Sequence, residues 1–395
     1  MLFSQGFGTA EQLSSKIVLL FELCNDQLSK QSHYDFGLRA LKAVLKSAGN
    51  LKRKEQMYLV KKLMEEQKTK EGDIIRMPAE MEESILIRSL MSTVVPKLVL
   101  NDKFLFDSLL ESAFPGANID GIKEEELKAR ILDVAKERFY RVDEQWLIKL
   151  MQFHTIQDIN WGIMLVGPSG SGKSSARDVL MEAMRRVDGI KTEKYEIDPK
   201  AINKEQLYGI LDPTTLEWTD GVFTATLRMI IDNQHGENNK RHWIVFDGDV
   251  DPEWAENLNS VLDDNKMLTL PNGERLSLTD NLRIIFETPN LNAATPATVS
   301  RCGMVWFSEE CVTLPMLFFN QLETLRAKPS MTSGGGEISR PLNDWQKVHN
   351  TVVDYLTPIF QTENEHVMEF TETRAIWSLF SQLRGGIKNI LEYNE

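Results

Sequence analysis

Apolar side chains follow two different rhythms along this chain, and the change from one to the other divides it. Between Glu11 and Lys30, Ile17, Leu20, Phe21, Cys24 and Leu28 recur at intervals of three and four, the spacing of one face of an α-helix. Leu38, Leu41, Val44 and Leu45 repeat the pattern, and further helices are predicted around Lys54–Met64 and Met81–Met91. Pro96, with a fixed φ and no N–H, halts the last of these. The first hundred residues therefore read as all-helical.

After a break at Pro115–Gly121, the charged stretch Glu124–Lys136 predicts another helix, leading through Trp146 and Leu150 to a new pattern. Ile163, Met164, Leu165 and Val166 form a compact apolar run ending at Gly167, as a buried parallel strand followed by a loop does. Trp243–Phe246 and Leu282–Phe286 are runs of the same kind, alternating with helical stretches, so the middle of the chain reads as α/β. Within it, KMLTLPNGERLSL (Lys266–Leu278) sets the tight-turn pair Asn272-Gly273 between two short extended segments and predicts a hairpin. PSMTSGGGEISRP (Pro329–Pro341) has little to bury and reads as a flexible connector, after which helical spacing resumes at Trp345.

Composition narrows the classes. A chain of 395 residues with 42% hydrophobic content can furnish two or three soluble cores. Its net charge of -13, from 58 acidic and 45 basic side chains with no basic run, argues against a nucleic-acid partner. Cys24, Cys302 and Cys311 stand at no paired or metal-ligand spacing and read as core thiols in a reducing compartment. No leader pattern opens the sequence, and no uncharged run reaches the ~20 residues that cross a bilayer, so the expectation is a cytosolic chain without a membrane partner.

The sharpest chemical signal is Gly167-Pro168-Ser169-Gly170-Ser171-Gly172-Lys173-Ser174, a complete G-x-x-x-x-G-K-[ST] between a predicted strand and a helix beginning near Ser175. Its glycines let backbone N–H groups curl round phosphate oxygens, Lys173 can reach the β and γ phosphates, and the Ser174 hydroxyl can ligate Mg²⁺. ATP or ADP with Mg²⁺ is thus the expected ligand. Trp243-Ile244-Val245-Phe246-Asp247 ends an apolar run on a carboxylate, which makes Asp247 the candidate on the metal side. In active sites of the AAA+ class the next residue is a glutamate that polarises the attacking water; here it is Gly248, which carries no base. Asp249 is the nearest other carboxylate and, on an extended segment, shares the face of Asp247. Tyr208, Trp218 and Phe223 read as packing aromatics and His154 as a locally satisfied histidine.

Beyond the phosphate loop, HYDFGLRALKAVLKSAGNLKR (His33–Arg53), LYGILDPTTLEWTDGVFT (Leu207–Thr224) and NLNAATPATVSRCGMV (Asn290–Val305) resemble cytoplasmic dynein heavy chains, and the resemblance covers nearly the whole chain. It implies an AAA+ α/β P-loop domain with all-helical small domains on either side. Residues 1–120 would be the helical small domain of the first AAA+ module with its exit helices, 121–328 the large domain of the second module, 329–341 the connector, and 342–395 the start of the second small domain. The resemblance also implies roles. Asn290 matches a polar sensor beside the phosphate loop, and Arg374, in TETRAIWSLF, a nucleotide sensor of the second module. Arg301 matches an arginine finger and Arg39 a second sensor arginine, both directed at the preceding module's site. The implied partners are neighbouring AAA+ modules of the same heavy chain and dynein complex subunits, with microtubules engaged only through parts of the motor outside this chain. Three readings of the chain's own site stand open: ATP binding with little or no hydrolysis, as a structural or regulatory site; an independently hydrolysing AAA+ remodelling ATPase; or a purely structural ring spacer whose phosphate loop is vestigial and empty.

Overall fold

A computed structural model describes residues 1–31, 33–65, 77–115, 125–232, 240–263, 265–327 and 372–394. The connector expected at 329–341 and the start of the helical segment after Trp345 lie outside these residues.

The N-terminal part is helical: α1 (Ala10–Gln27), α2 (Leu38–Glu65), α3 (Ala79–Thr93) and α4 (Leu100–Ala113), with a 3₁₀ turn at Val95–Lys97 holding Pro96. Two of the helices expected from spacing, at Leu38–Leu45 and Lys54–Met64, are one continuous 28-residue α2. Nothing between them breaks a helix: Gly49 and Asn50 are weak formers but neither removes a hydrogen bond. Leu20, Cys24, Val44, Ala48, Leu86 and Leu90 close a shared core. Glu82, buried in that core, accepts from Gly8 N (2.9 Å), Thr9 N (2.9 Å), Thr9 Oγ1 (2.7 Å) and Lys52 Nζ (2.5 Å). A carboxylate with four donors offsets its own desolvation and staples the N-terminal segment to α2 and α3.

The middle of the chain is α/β. After α5 (Glu125–Glu137) and α6 (Glu144–Ile159) come β1 (Gly162–Val166), α7 (Lys173–Asp188) and β2 (Thr192–Ile197). A small excursion follows: α8 (Lys204–Tyr208), the hairpin β3 (Gly209–Leu211) and β4 (Trp218–Asp220), and α9 (Val222–Asp232). Then come β5 (Arg241–Asp247), short helices α10 (Pro252–Ala255) and α11 (Asn259–Leu262), the hairpin β6 (Met267–Thr269) and β7 (Arg275–Ser277), and β8 (Leu282–Thr288). The segment closes with α12 (Pro296–Val299) and β9 (Gly303–Trp306).

Five strands make one parallel sheet in the order β2-β5-β8-β1-β9. Successive side chains of a strand face opposite sides, and here both sides are covered. Met164, Val166, Ile244, Phe246, Ile284 and Phe286 enter one core with α8, α9 and the hairpins. Ile163, Leu165, Trp243, Val245 and Ile285 enter the other, with α5, α6 and α7. The double burial is why these strands read as unbroken apolar runs rather than alternating ones. β2, β9 and the β3–β4 hairpin carried no such signal, being short or polar on one face. The aromatics expected to pack do so: Tyr208 and Phe223 are buried edge to face at 5.8 Å, and Trp218 leans on the same core. All three cysteines are buried free thiols.

β9 is an edge strand, and the helical part covers it. His33 stacks on Trp306 with ring centroids 4.8 Å apart and planes 9° from parallel, while His33 Nε2 meets the Lys97 carbonyl at 3.0 Å. Covering an edge protects its unpaired backbone groups from foreign strands. At the far end, α13 (Leu314–Ala327) pairs with α14 (Glu372–Asn394) through Leu322, Ile376 and an edge-to-face contact of Phe318 with Phe380 at 5.3 Å.

Candidate nucleotide site and arginine cluster

β1 delivers the chain to the phosphate loop at its carboxyl end, where Phe307 N donates to Val166 O at 2.7 Å. That approach leaves no room for a side chain at Gly167, since a Cβ there would lie 2.0 Å from the Phe307 carbonyl oxygen. The loop closes into α7, whose first residue is Lys173. Ser169, Gly170, Gly172, Lys173, Ser174, Ser175 and Asp247 line one cleft of about 500 Å³. Gly167, Pro168 and Ser171 build the loop behind it.

Lys173 Nζ donates to the loop's own Gly167 and Pro168 carbonyls at 2.6 and 2.9 Å. Burial holds its pKa below the ordinary lysine value, against the pull of Glu287 and Asp247. An anionic ligand would relieve that cost. Ser171 Oγ is buried without a hydrogen-bond partner among the described residues, and a buried hydroxyl left unpaired is costly. A desolvated ammonium and a helix N-terminus in one concave loop fit a polyphosphate. Ser174 and Asp247 are the groups that would hold its Mg²⁺.

Gly248, the position that would carry the water-activating glutamate, has φ +146°. Its N–H donates to the Glu287 carbonyl at 2.9 Å. A Cβ would meet nothing closer than 3.7 Å, so the backbone conformation, and not space, disfavours a side chain there. Asp249 is engaged in an ion pair with Lys200 and does not line the cleft.

Two of the expected nucleotide contacts stand elsewhere. Asn290 is exposed, and its Oδ1 accepts from Asn292 N at 3.0 Å in a local turn, while its neighbours Thr288 and Pro289 line the cleft. Arg374 is exposed on α14, and Thr373 and Trp377 of the same helix line the cleft instead. Spacing in sequence missed these two residues, together with Trp146, Val312, Met316 and Leu317, which make the apolar end of the cleft. It also missed Glu287, whose one available signal was a carboxylate inside the apolar strand IIFET. Thr373 packs directly above Gly170. His154 meets Gln157 at 2.9 Å, away from the cleft.

Arg39 and Arg301 meet in a second, separate cavity of about 160 Å³, lined also by Lys42, Lys46, Asp263 and Ser300. Arg39 Nη1 donates to Ser300 Oγ at 2.7 Å. Arg301 donates from Nε to Asp263 Oδ1 and from Nη1 to the Ala297 carbonyl, both at 2.8 Å. The cavity thus lies at the seam between the helical part and the sheet, with Arg39 from the one and Arg301 from the other.

A parallel sheet with a phosphate loop after β1, an acid-ended strand two places away in the sheet and a helical pair folded over the cleft define an AAA+ nucleotide-binding module. The comparisons with known proteins agree. A family model described as the hydrolytic ATP binding site of the dynein motor region matches residues 1–70 and 68–174, and one described as an AAA domain of the dynein-related subfamily matches 162–302. The whole chain is 50% identical over 408 residues to a cytoplasmic dynein heavy chain of Paramecium tetraurelia, and 48% over 423 residues to one of Drosophila melanogaster. A dynein heavy chain-like protein of Plasmodium falciparum is 50% identical over 352 residues, 82% of this chain and 7% of that one. The chain belongs to the dynein heavy chain family. It spans about 9% of the length of the cytoplasmic relatives it matches, whose names agree with the cytoplasmic setting expected from composition. No helix among the described residues is long and apolar enough to cross a membrane.

Proposed function

We propose that this chain is a section of the dynein motor ring whose own cleft binds ATP with Mg²⁺ as a structural or regulatory ligand, with little or no hydrolysis. The observation that carries the reading is Gly248: the residue after Asp247 offers no base, and its φ of +146° is one that a glutamate adopts only under strain. The ion pair of Asp249 with Lys200 supports it, because that carboxylate is engaged away from the cleft. Lys173, Ser174 and Asp247 remain together in the cleft, which favours binding over an empty, vestigial loop. When bound, the nucleotide would bridge the phosphate loop and α14, holding the large domain against its helical pair. Neighbouring modules of the same heavy chain and dynein complex subunits are the partners this reading implies, and microtubules would be reached through other parts of the motor.

The second half of the proposal is that Arg301 and Arg39 serve the site of the preceding module. Their joint placement in one cavity outside the chain's own cleft supports it. Titration calorimetry with ATP and ADP, paired with a phosphate-release assay, tests the first half. Tight binding without release, lost in Lys173→Ala, is the expected result; sustained release abolished by that substitution would establish the hydrolysing alternative.

A further inference from the structure

Glu287 is the least expected group in the cleft. It stands at the carboxyl end of β8, between Asp247 on β5 and the phosphate loop after β1, and is 1% exposed. Its two carboxylate oxygens have separate partners: Oε2 accepts from Ser174 Oγ at 2.5 Å, and Oε1 from Arg177 Nη1 at 2.7 Å. Arg177, itself 4% exposed, projects from the second turn of α7 and also reaches Glu196 Oε1 at 2.6 Å. Burying a carboxylate at the centre of a sheet is costly without a cation, and Arg177 is that cation.

We infer that Glu287 is a positioning residue for the metal of this site, acting through Ser174 and held in place by Arg177. This rests on the nucleotide-binding reading above. The Ser174 hydroxyl has one proton and two lone pairs. By taking the proton, Glu287 turns the lone pairs toward the cleft, where a magnesium ion on the nucleotide needs an oxygen ligand. With both oxygens occupied, Glu287 is poorly placed to take a proton from water, so it does not supply the base that Gly248 lacks.

Partners that orient a metal ligand are worth about 10–100-fold in metal affinity. The measured quantity is the ratio of ATP affinities by calorimetry in Mg²⁺ and in EDTA, on the whole chain. Glu287→Gln is expected to cut that magnesium advantage at least about tenfold without weakening metal-free ATP binding, since the substitution removes a negative charge from beside Lys173. Glu287→Asp, which keeps the charge for Arg177 but shortens the reach to Ser174, is expected to lose the same advantage and guards against a folding defect in the first variant. In a Ser174→Ala background, Glu287→Gln is expected to have no further effect on the ratio. A ratio unchanged in both variants, or equal weakening with and without Mg²⁺, would each overturn the inference. Wild-type protein that binds no ATP in either condition would instead remove the nucleotide reading beneath it.

Discussion

Arg39 and Ser300 lie 261 positions apart in sequence and share a 2.7 Å hydrogen bond, which sets the Arg39 guanidinium beside Arg301. One arginine comes from α2 of the helical part, the other from the turn between α12 and β9, so the cavity they share exists only where the two parts meet.

In a heavy chain that includes the preceding module, Arg301→Ala is expected to lower that module's ATP turnover by about 10³-fold, the range measured for fingers in trans. Arg39→Ala is expected to have a smaller effect on turnover and to weaken nucleotide affinity there. Steady-state phosphate release unchanged in both variants would show the cluster to be structural only.

Replacing Gly248 by glutamate puts a base in the sequence position but not in a relaxed backbone. Gly248→Glu is expected to lower stability by about 1–3 kcal/mol and to leave phosphate release near background. Thermal melts and the release assay decide together; brisk turnover in that variant would show that the missing side chain was the sole defect.

Acid should attack the helical part first at Glu82. Burial alone would raise its pKa, but the hydrogen bonds from Lys52, Gly8 and Thr9 outweigh that and bring it to about 2, from an unfolded value of 4.5. A depressed carboxylate pKa contributes stability above the unfolded value and loses it as pH falls toward the folded one. Helicity followed by circular dichroism should therefore decline between pH 4.5 and about 2. Glu82→Gln is expected to be less stable at neutral pH by about 3 kcal/mol, because Lys52 is left buried without its partner, and to show a flatter acid limb.

Trp306→Ala removes the ring on which His33 stacks. The stack itself is worth about 0.5–1.5 kcal/mol beyond the area buried, and the substitution is expected to uncouple the helical part from the sheet. Calorimetric unfolding should broaden or split into two transitions; a single transition shifted uniformly would mean that the two parts are held together elsewhere.

Much of this molecule was legible in its sequence because the responsible physics is local. A strand buried on both faces must be apolar throughout, so β1, β5 and β8 announced themselves, and Asn272-Gly273 marked the β6–β7 turn. The phosphate loop needs its glycines, lysine and hydroxyl contiguous, so Gly167 to Ser174 could be read directly, and the missing base at Gly248 with it. The relationships that required folding are those between distant segments. Glu287 became part of the cleft only when β8 was laid between β5 and β1, and Thr373 and Trp377 only when α14 packed on α13. Asn290 and Arg374, placed near the nucleotide by resemblance, have side chains whose direction depends on a local turn and a helix rotation that spacing does not specify. Local periodicity determined the elements and the phosphate loop; the sheet order and the packing of helices on it decided which side chains share a cavity, because those contacts join residues that the chain itself keeps far apart.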